Sequence, residues 1–501
     1  MQIKKLIFIA AFCLFAFILL FVNREFSVAD NGDFTRYMTF IEKTANASVN
    51  WPASGTVEHH QRFFSRPHIY WDYSLHHYSD NWKSSMVYVW EICGFLNRYL
   101  FSEKIVNIRS LGLPLFLLQF LAMFLLFLYF KNEKNIYLQG ASILAFIVFC
   151  DSVFVAFFNS LYPQGCAFAT ISILFTCCLS MAYSERMDRN MAAFCFGLCL
   201  ISMIFTAAAK QQYVYFLLLV LCFSCSMFLP LKKFFGLKSR SFFLVCVLGF
   251  GAFAIFFGER FFPTEFKLEH NIWDKEEIST YKFHAHFLYE GVLPRVSKPQ
   301  DALKRLGLPK ESVHFIGKSA YDPGFHESLI WNKKVTTMMV LKTFCFYPSA
   351  VASLLLQNIR SFGKISGYAL VPETDCGQSP LLTRLASSFS NACSGYVLLS
   401  FDLFIGLLLI FVNFGGSMRT VYFNRILASC LLSVIIFDLL SSMGDGDLDT
   451  AKHILSASYA GLMLMVQFVF FIVWYFSSKP HRHLYIGILG KHQQSPTRMP
   501  C

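Results

Sequence analysis

Apolar residues run in blocks of about twenty along most of the chain, separated by short polar stretches. A bilayer core is about 30 Å thick and an α-helix rises about 1.5 Å per residue, so each block reads as a spanning helix. The blocks of sufficient or nearly sufficient length are 6–22, 111–130, 136–157, 166–182, 191–208, 213–230, 241–257, 397–415, 424–442 and 454–476. The first follows Met-Gln-Ile-Lys-Lys and lacks a small-x-small cleavage pattern, which predicts a retained helix over 1–22. Between the blocks lie two long segments, 23–110 and 258–396, too long for simple connectors.

Within 23–110, Ser85–Leu100 keeps apolar residues near helical spacing, with Glu91 and Arg98 interrupting them. That pattern predicts an amphipathic helix lying in the membrane interface. Within 258–396, the run from Pro299 to Pro309 predicts a short helix, capped by Ser297 and stopped by Gly307. The expected organisation is an all-α polytopic membrane protein with about ten transmembrane helices. Helices 2–7 occupy 111–257, helices 8–10 occupy 397–476, and 477–501 forms a cytoplasmic tail.

Composition agrees with the pattern. The 501 residues are 55% hydrophobic and 15% charged, and 59 of them are Phe. Soluble proteins carry about 25% charged residues, so a cytosolic enzyme is excluded, and disorder is excluded by the apolar content. A net charge of +12 in a soluble chain would suggest nucleic acid, but here the cations sort by membrane side. Sixteen Lys and Arg, from Lys4 and Lys5 through Lys131, Arg186, Lys232 and Arg419 to Arg498, fall in connections on one side. The short loops opposite carry only Lys210 and Lys452. The positive-inside rule then puts both termini in the cytoplasm and the long segments outside. Most of the 16 cysteines sit in apolar blocks as small hydrophobes, Cys222 and Cys225 included. Cys376 and Cys393 are outer and could be joined in an oxidising compartment.

Polar residues collect near the outer boundary. Asp33 and Arg36 stand one helical turn apart after the first span, and Asp33 reads either as an N-cap or as a base that deprotonates a hydroxyl. Asn159, Tyr162 and Gln164 lie in an outer hairpin, able to hydrogen-bond a polar ligand or simply to turn the chain. Lys210, in a tight outer turn, either snorkels or faces a phosphate. Between the last two spans, Asp445, Asp447 and Asp449 alternate and are followed by Lys452 and His453, adjacent donors suited to a phosphate oxygen. An EF-hand is excluded there, because Ser456 stands where that loop needs its bidentate acid. Five histidines, His59, His60, His68, His76 and His77, share no zinc-ligand frame. Asp151, Asp402 and Asp438 lie within apolar blocks and need partners.

Taken together, these residues resemble a membrane glycosyltransferase of the GT-C type, and more narrowly the multi-span bacterial hexosyltransferases of surface-glycan biosynthesis. The resemblance is carried by Asn31-Gly-Asp-Phe-Thr-Arg36, Phe158-Asn-Ser-Leu-Tyr162, Ala209-Lys-Gln-Gln212 and Gly444-Asp-Gly-Asp-Leu-Asp-Thr-Ala-Lys-His453. The stretches His284-Ala-His-Phe-Leu-Tyr-Glu-Gly, Leu306-Gly-Leu-Pro309 and Phe346-Tyr-Pro348 extend it into the large outer segment. Where that group's pattern calls for an acidic residue after the hairpin tyrosine, this chain has Pro163-Gln164.

The resemblance implies a polyprenyl-phosphate-linked sugar as donor, a glycan or lipid-linked acceptor, and Asp33 as catalytic base. Arg36, Asn159, Tyr162, Gln164, Lys210, Asp447, Lys452 and His453 would bind substrate. No cofactor is required and no metal ligands are assigned, while a divalent cation stays open as an unsupported alternative. The implied setting is a bacterial inner membrane, with membrane lipids as partners and no nucleic acid. A glycan polymerase or ligase is the alternative within enzymes, and a lipid-linked glycan transporter or flippase the alternative outside them.

Overall fold

The computed structural model describes residues 86–100, 109–130, 135–151, 163–183, 189–209, 284–318, 335–363, 394–412, 417–445 and 454–477. It adds a few positions among 6–14 and short pieces at 70–71, 106–107 and 154–159. The expected spans 213–230 and 241–257 and most of 6–22 lie outside these residues, as do Cys376 and Cys393 and the five histidines of 59–77.

The described chain is helical, apart from a two-residue antiparallel pairing of β1 (Tyr70–Trp71) with β2 (Val106–Asn107). In chain order the helices are α1 (Met86–Leu100), α2 (Arg109–Phe130), α3 (Ile136–Phe149), α4 (Pro163–Tyr183) and α5 (Arg189–Ala209). Then come α6 (Pro299–Leu306), α7 (Thr337–Phe346), α8 (Pro348–Ser361), α9 (Gly395–Phe411), α10 (Met418–Ser442) and α11 (Leu455–Ser477). Among the described residues five helices are long and apolar enough to cross a membrane: α2, α4, α5, α10 and α11.

The wholly buried α4 forms the axis of the bundle, with α2, α5, α10 and α11 packed against it. Buried rings fill the spaces around it: Phe154 and Phe168 lie 4.5 and 5.0 Å from the Tyr459 ring. Phe401, Phe404 and Phe411 instead point outward from α9. Phe therefore serves both lipid-facing and core positions.

Polar side chains staple the bundle where lipid offers no hydrophobic drive. Thr170 meets Thr206 at 2.7 Å, Ser172 meets Tyr459 at 2.5 Å, and Tyr183 donates to Asn424 Oδ1 at 2.8 Å. The last carbonyls of α4 would otherwise be orphaned. Arg419 Nε donates to Met181 O, and Thr420 Oγ1 donates to Ala182 O at 2.9 Å.

Three expectations change. The block 136–157 is not one span: α3 stops at Phe149, and the chain continues to a short turn at Phe157–Asn159. Fourteen residues rise about 21 Å, short of the bilayer core. The buried Gln119 amide donates to Phe149 O at 2.8 Å and satisfies that early helix end. Secondly, α6 has no Ser297 cap. Lys298 flanks it without a side-chain cap, and Pro299, which has no N–H to satisfy, takes the first helical position. Gly307 does end it, in the left-handed region at φ 74°.

Thirdly, the outer hairpin read over 157–164 ends before Gln164. Helix α4 begins at Pro163, so Gln164 lies in its first turn, 2% exposed.

A bend that the apolar pattern does not announce separates α7 from α8 by 99°. Pro348 disfavours helical backbone at Tyr347, which sits at φ −132°, ψ 50°.

Candidate functional site

The hydrogen bonds between helices fix which ends meet. Because Arg419 and Thr420 at the start of α10 reach the last turn of α4, these two helices run antiparallel. Helix α5 is antiparallel to α4 as well: Cys199, midway along α5, faces Cys178 late in α4, while Thr206, late in α5, faces Thr170 early in α4. Helix α11 starts beside the end of α10, since Ala457 N donates to Asp438 Oδ2 at 2.8 Å. One end of the bundle therefore collects the first turn of α4, the end of α5 at Ala209, the end of α10 at Ser442 and the start of α11 at Leu455. The turn Phe157–Asn159 closes over the same end. A Cβ on Gly165 would lie 2.5 Å from Phe157 O, so only glycine lets that turn pass so near α4.

Of the residues singled out from the sequence, Gln164 is fully described. Its Oε1 is buried, with no hydrogen-bond partner among the described residues. Asn159 is placed through its backbone, in the turn over α4. Asp33, Arg36, Tyr162, Lys210, Asp447, Lys452 and His453 lie outside the described residues. Described residues close in the chain to Tyr162, Lys210, Asp447 and His453, namely Pro163, Ala209, Met443 and Ile454, all belong to this one end, and Asp33 and Arg36 have no such described neighbour.

Buried polar groups line it. Asp438 holds the first turn of α11, where a carboxylate complements the positive end of the helix dipole. Asn358 Nδ2 donates to Ser442 Oγ at 3.0 Å, and Gly363 N donates to Ser458 Oγ at 3.1 Å, tying the end of α8 to α10 and α11. Asp402 on α9 is 0% exposed, lies against Gly461 and Phe362, and has no partner for either carboxylate oxygen among the described residues.

On this end sits a second packed unit built from 284–318 and 335–361. Its core joins Ala285, Leu288, Tyr289, Leu303, Leu306 and Leu354 to Met443 of the bundle. The unit opens with a π-helix, His286–Val292, an irregularity that recurs at functional sites. His286 Nδ1 lies 3.1 Å from Glu290 Oε2 within it. His284 Nδ1 lies 3.2 Å from Val335 O; burial holds its imidazole below the usual range, opposed by that carbonyl contact. Burial also pushes the Tyr289 hydroxyl up to about 12.

Beside the π-helix opens a cleft of about 780 Å³ lined by Arg295, Lys298, Asp301, Lys304, Arg305, Tyr347 and Ser349, among others. Arg295 is fixed at its edge, donating to Glu290 O, Gly291 O and Gln357 Oε1. The sequence reading missed this cleft. Its signal was present, four cations within the eleven residues 295–305, but α6 read only as a short helix in a long outer segment. Among the described residues no three His, Cys, Asp or Glu side chains converge as metal ligands.

The family model of the YfdI N-terminal transmembrane domain matches residues 1–485. No curated protein matches the chain. Among solved structures, the crystal structure of ArnT from Cupriavidus metallidurans in the apo state aligns with 94% of this chain and 77% of that one. The identity is 13% and the TM-score 0.32, a level of similarity that carries no argument by itself.

Proposed function

The chain belongs to the YfdI N-terminal transmembrane domain family, a GT-C-like family of membrane glycosyltransferases, and from that premise we propose a specific transfer reaction. The protein moves a hexose from a polyprenyl-phosphate carrier to a glycan or lipid-linked acceptor, with inversion at the sugar. The reaction runs on the extracytoplasmic side of a bacterial inner membrane, with both termini cytoplasmic. One observation carries this reading. The helix ends that flank positions 159–164, 210 and 446–453 are gathered at a single end of the bundle, beneath a docked unit that bears a cationic cleft.

In the proposed step, the Asp33 carboxylate takes the proton of the acceptor hydroxyl. The hydroxyl oxygen then bonds to the sugar C1 as the bond from C1 to the phosphate oxygen breaks, and the electron pair leaves on the phosphate. Lys210, Lys452, His453 and Arg36 stabilise the negative charge that develops there, each by roughly 3–4 kcal/mol when preorganised out of water. Asn159, Tyr162, Gln164 and Asp447 position the sugar and the acceptor. The step uses no cofactor and no metal.

The test is transfer by purified Asp33→Asn protein in detergent, supplied with a polyprenyl-phosphate hexose and a glycan extract. A fall of about 10²-fold or more, with unchanged thermal unfolding, is expected of a lost general base. Wild-type activity in Asp33→Asn removes it from the chemistry. A product extended by whole repeat units would make the protein a polymerase, and movement of lipid-linked sugar with no new glycosidic bond would make it a flippase.

A further inference from the structure

The cleft beside the π-helix carries four cations, Arg295, Lys298, Lys304 and Arg305, against one carboxylate, Asp301, a surplus of three positive charges. Lys298, Lys304 and Arg305 are exposed, and no ion pair joins them to an acid among the described residues. Arg305 lies 6.0 Å from the Phe346 ring, which holds its guanidinium at the mouth of the cleft. Tyr347 at the bend and Ser349 in the first turn of the 14-residue α8 contribute to the wall. Such a concentration of unneutralised charge in a concave site fits an oxyanion of more than one negative charge.

What carries that oxyanion is indicated by α7. Leaving the cleft at the 99° bend, α7 exposes Met338, Leu341 and Phe344 at 59%, 54% and 45%, spaced three residues apart on one face. An exposed apolar stripe of this kind in a membrane protein suits acyl or isoprenoid chains. The cleft and the stripe together fit an amphiphile with a phosphate head.

Charge then separates the candidates. A phosphodiester carries one negative charge, whereas a phosphomonoester carries about 1.5 to 2 at pH 7. A sugar joined through phosphate to a lipid is a diester; once the sugar has left, the carrier is a monoester. We propose that this cleft holds the phosphomonoester head of the spent lipid carrier, as a product site distinct from the reaction centre. This assignment rests on the transfer reaction proposed above.

The test uses the full chain in phosphatidylcholine nanodiscs and a fluorescent prenyl monophosphate as probe. Farnesyl phosphate is expected to displace the probe at least about tenfold better than its methyl diester, inorganic phosphate or phosphatidylglycerol. The Lys298→Gln/Lys304→Gln double variant is expected to lose about tenfold or more of that affinity and the preference for the monoester. Both lysines are exposed, so thermal unfolding should not move. Arg305→Gln provides a second, independent variant with the same expected direction.

Unchanged affinity in both variants overturns the assignment. So does equal competition by the diester or by phosphatidylglycerol, and competition by inorganic phosphate equal to farnesyl phosphate makes it a free-anion site. The two readings fail separately. Lysine-dependent monoester binding without transfer from any lipid-linked sugar would remove the reaction and leave a phosphomonoester-lipid site. Transfer without such binding would remove the cleft and leave the reaction.

Discussion

Gly461 shows how much a single missing side chain decides. A Cβ there would overlap Asp402 Oδ2, and Phe362 stands next to it. Because α11 has no side chain at this point, α9 can bring a buried carboxylate against its backbone. Gly461→Ala should destabilise the detergent-solubilised protein by about 1–3 kcal/mol, the usual range for overpacking, read from thermal unfolding. Asp402→Ala in the same chain should recover most of that loss, because the two positions share one space. Strictly additive losses would show that they do not touch. At this scale the sequence marked Asp402 as a carboxylate out of place in an apolar block and Gln164 as a polar residue of an outer hairpin. It could not show that Asp402 faces a glycine 59 positions away, or that Gln164 is enclosed rather than wet.

At the scale of elements, long apolar blocks were legible and short irregular ones were not. Helices α4, α5, α10 and α11 lie close to the expected spans because twenty apolar residues have no other stable state in lipid. The early end of α3 depends on Gln119 from another helix, and the bend between α7 and α8 lies in a segment read as wholly outer. The π-helix opens the docked unit, and its pH response follows from His284. Burial depresses the folded-state imidazole below its ordinary value of 6.5, so the unfolded chain binds the proton more readily. The contribution of neutral His284 to the stability of this unit is fully present above about 6.5 and is lost as pH falls from there through the folded-state value. Hydrogen-exchange protection of 284–318 should therefore weaken below that pH, and His284→Gln should flatten the dependence. A slope unchanged in the variant would assign it to another group.

For the whole molecule, the decisive property is sidedness. The bundle places the ends near Gln164, Ala209, Ser442 and Leu455 together, and the start of α10, with Arg419, at the opposite end beside Met181. Single cysteines at positions 33, 210 and 452 should react with a membrane-impermeant maleimide from the extracytoplasmic side. Cysteines replacing Lys131 and Arg186 should react from the cytoplasmic side. The background would lack Cys345, which is exposed in the native chain, together with Cys376, Cys393 and Cys501 of the expected outer segment and tail. Labelling of 33 and 452 from opposite sides would end the proposal of a shared site.

The amino-acid sequence by itself determined that the chain is helical and membrane-spanning, and it carries the expectation of a side for each polar cluster. Hydrophobic block length and the sorting of cations are local properties, and each can be read without knowing what packs where. Tertiary structure alone decided which helix ends meet, since that follows from bonds such as Asp438 to Ala457 and Thr170 to Thr206 between residues distant in the chain. It also decided that four cations of one short run surround a cleft. That cleft exists because buried Leu303 and Leu306 pull α6 into the docked core while Tyr347 at the bend and Ser349 of α8 line it from the other side.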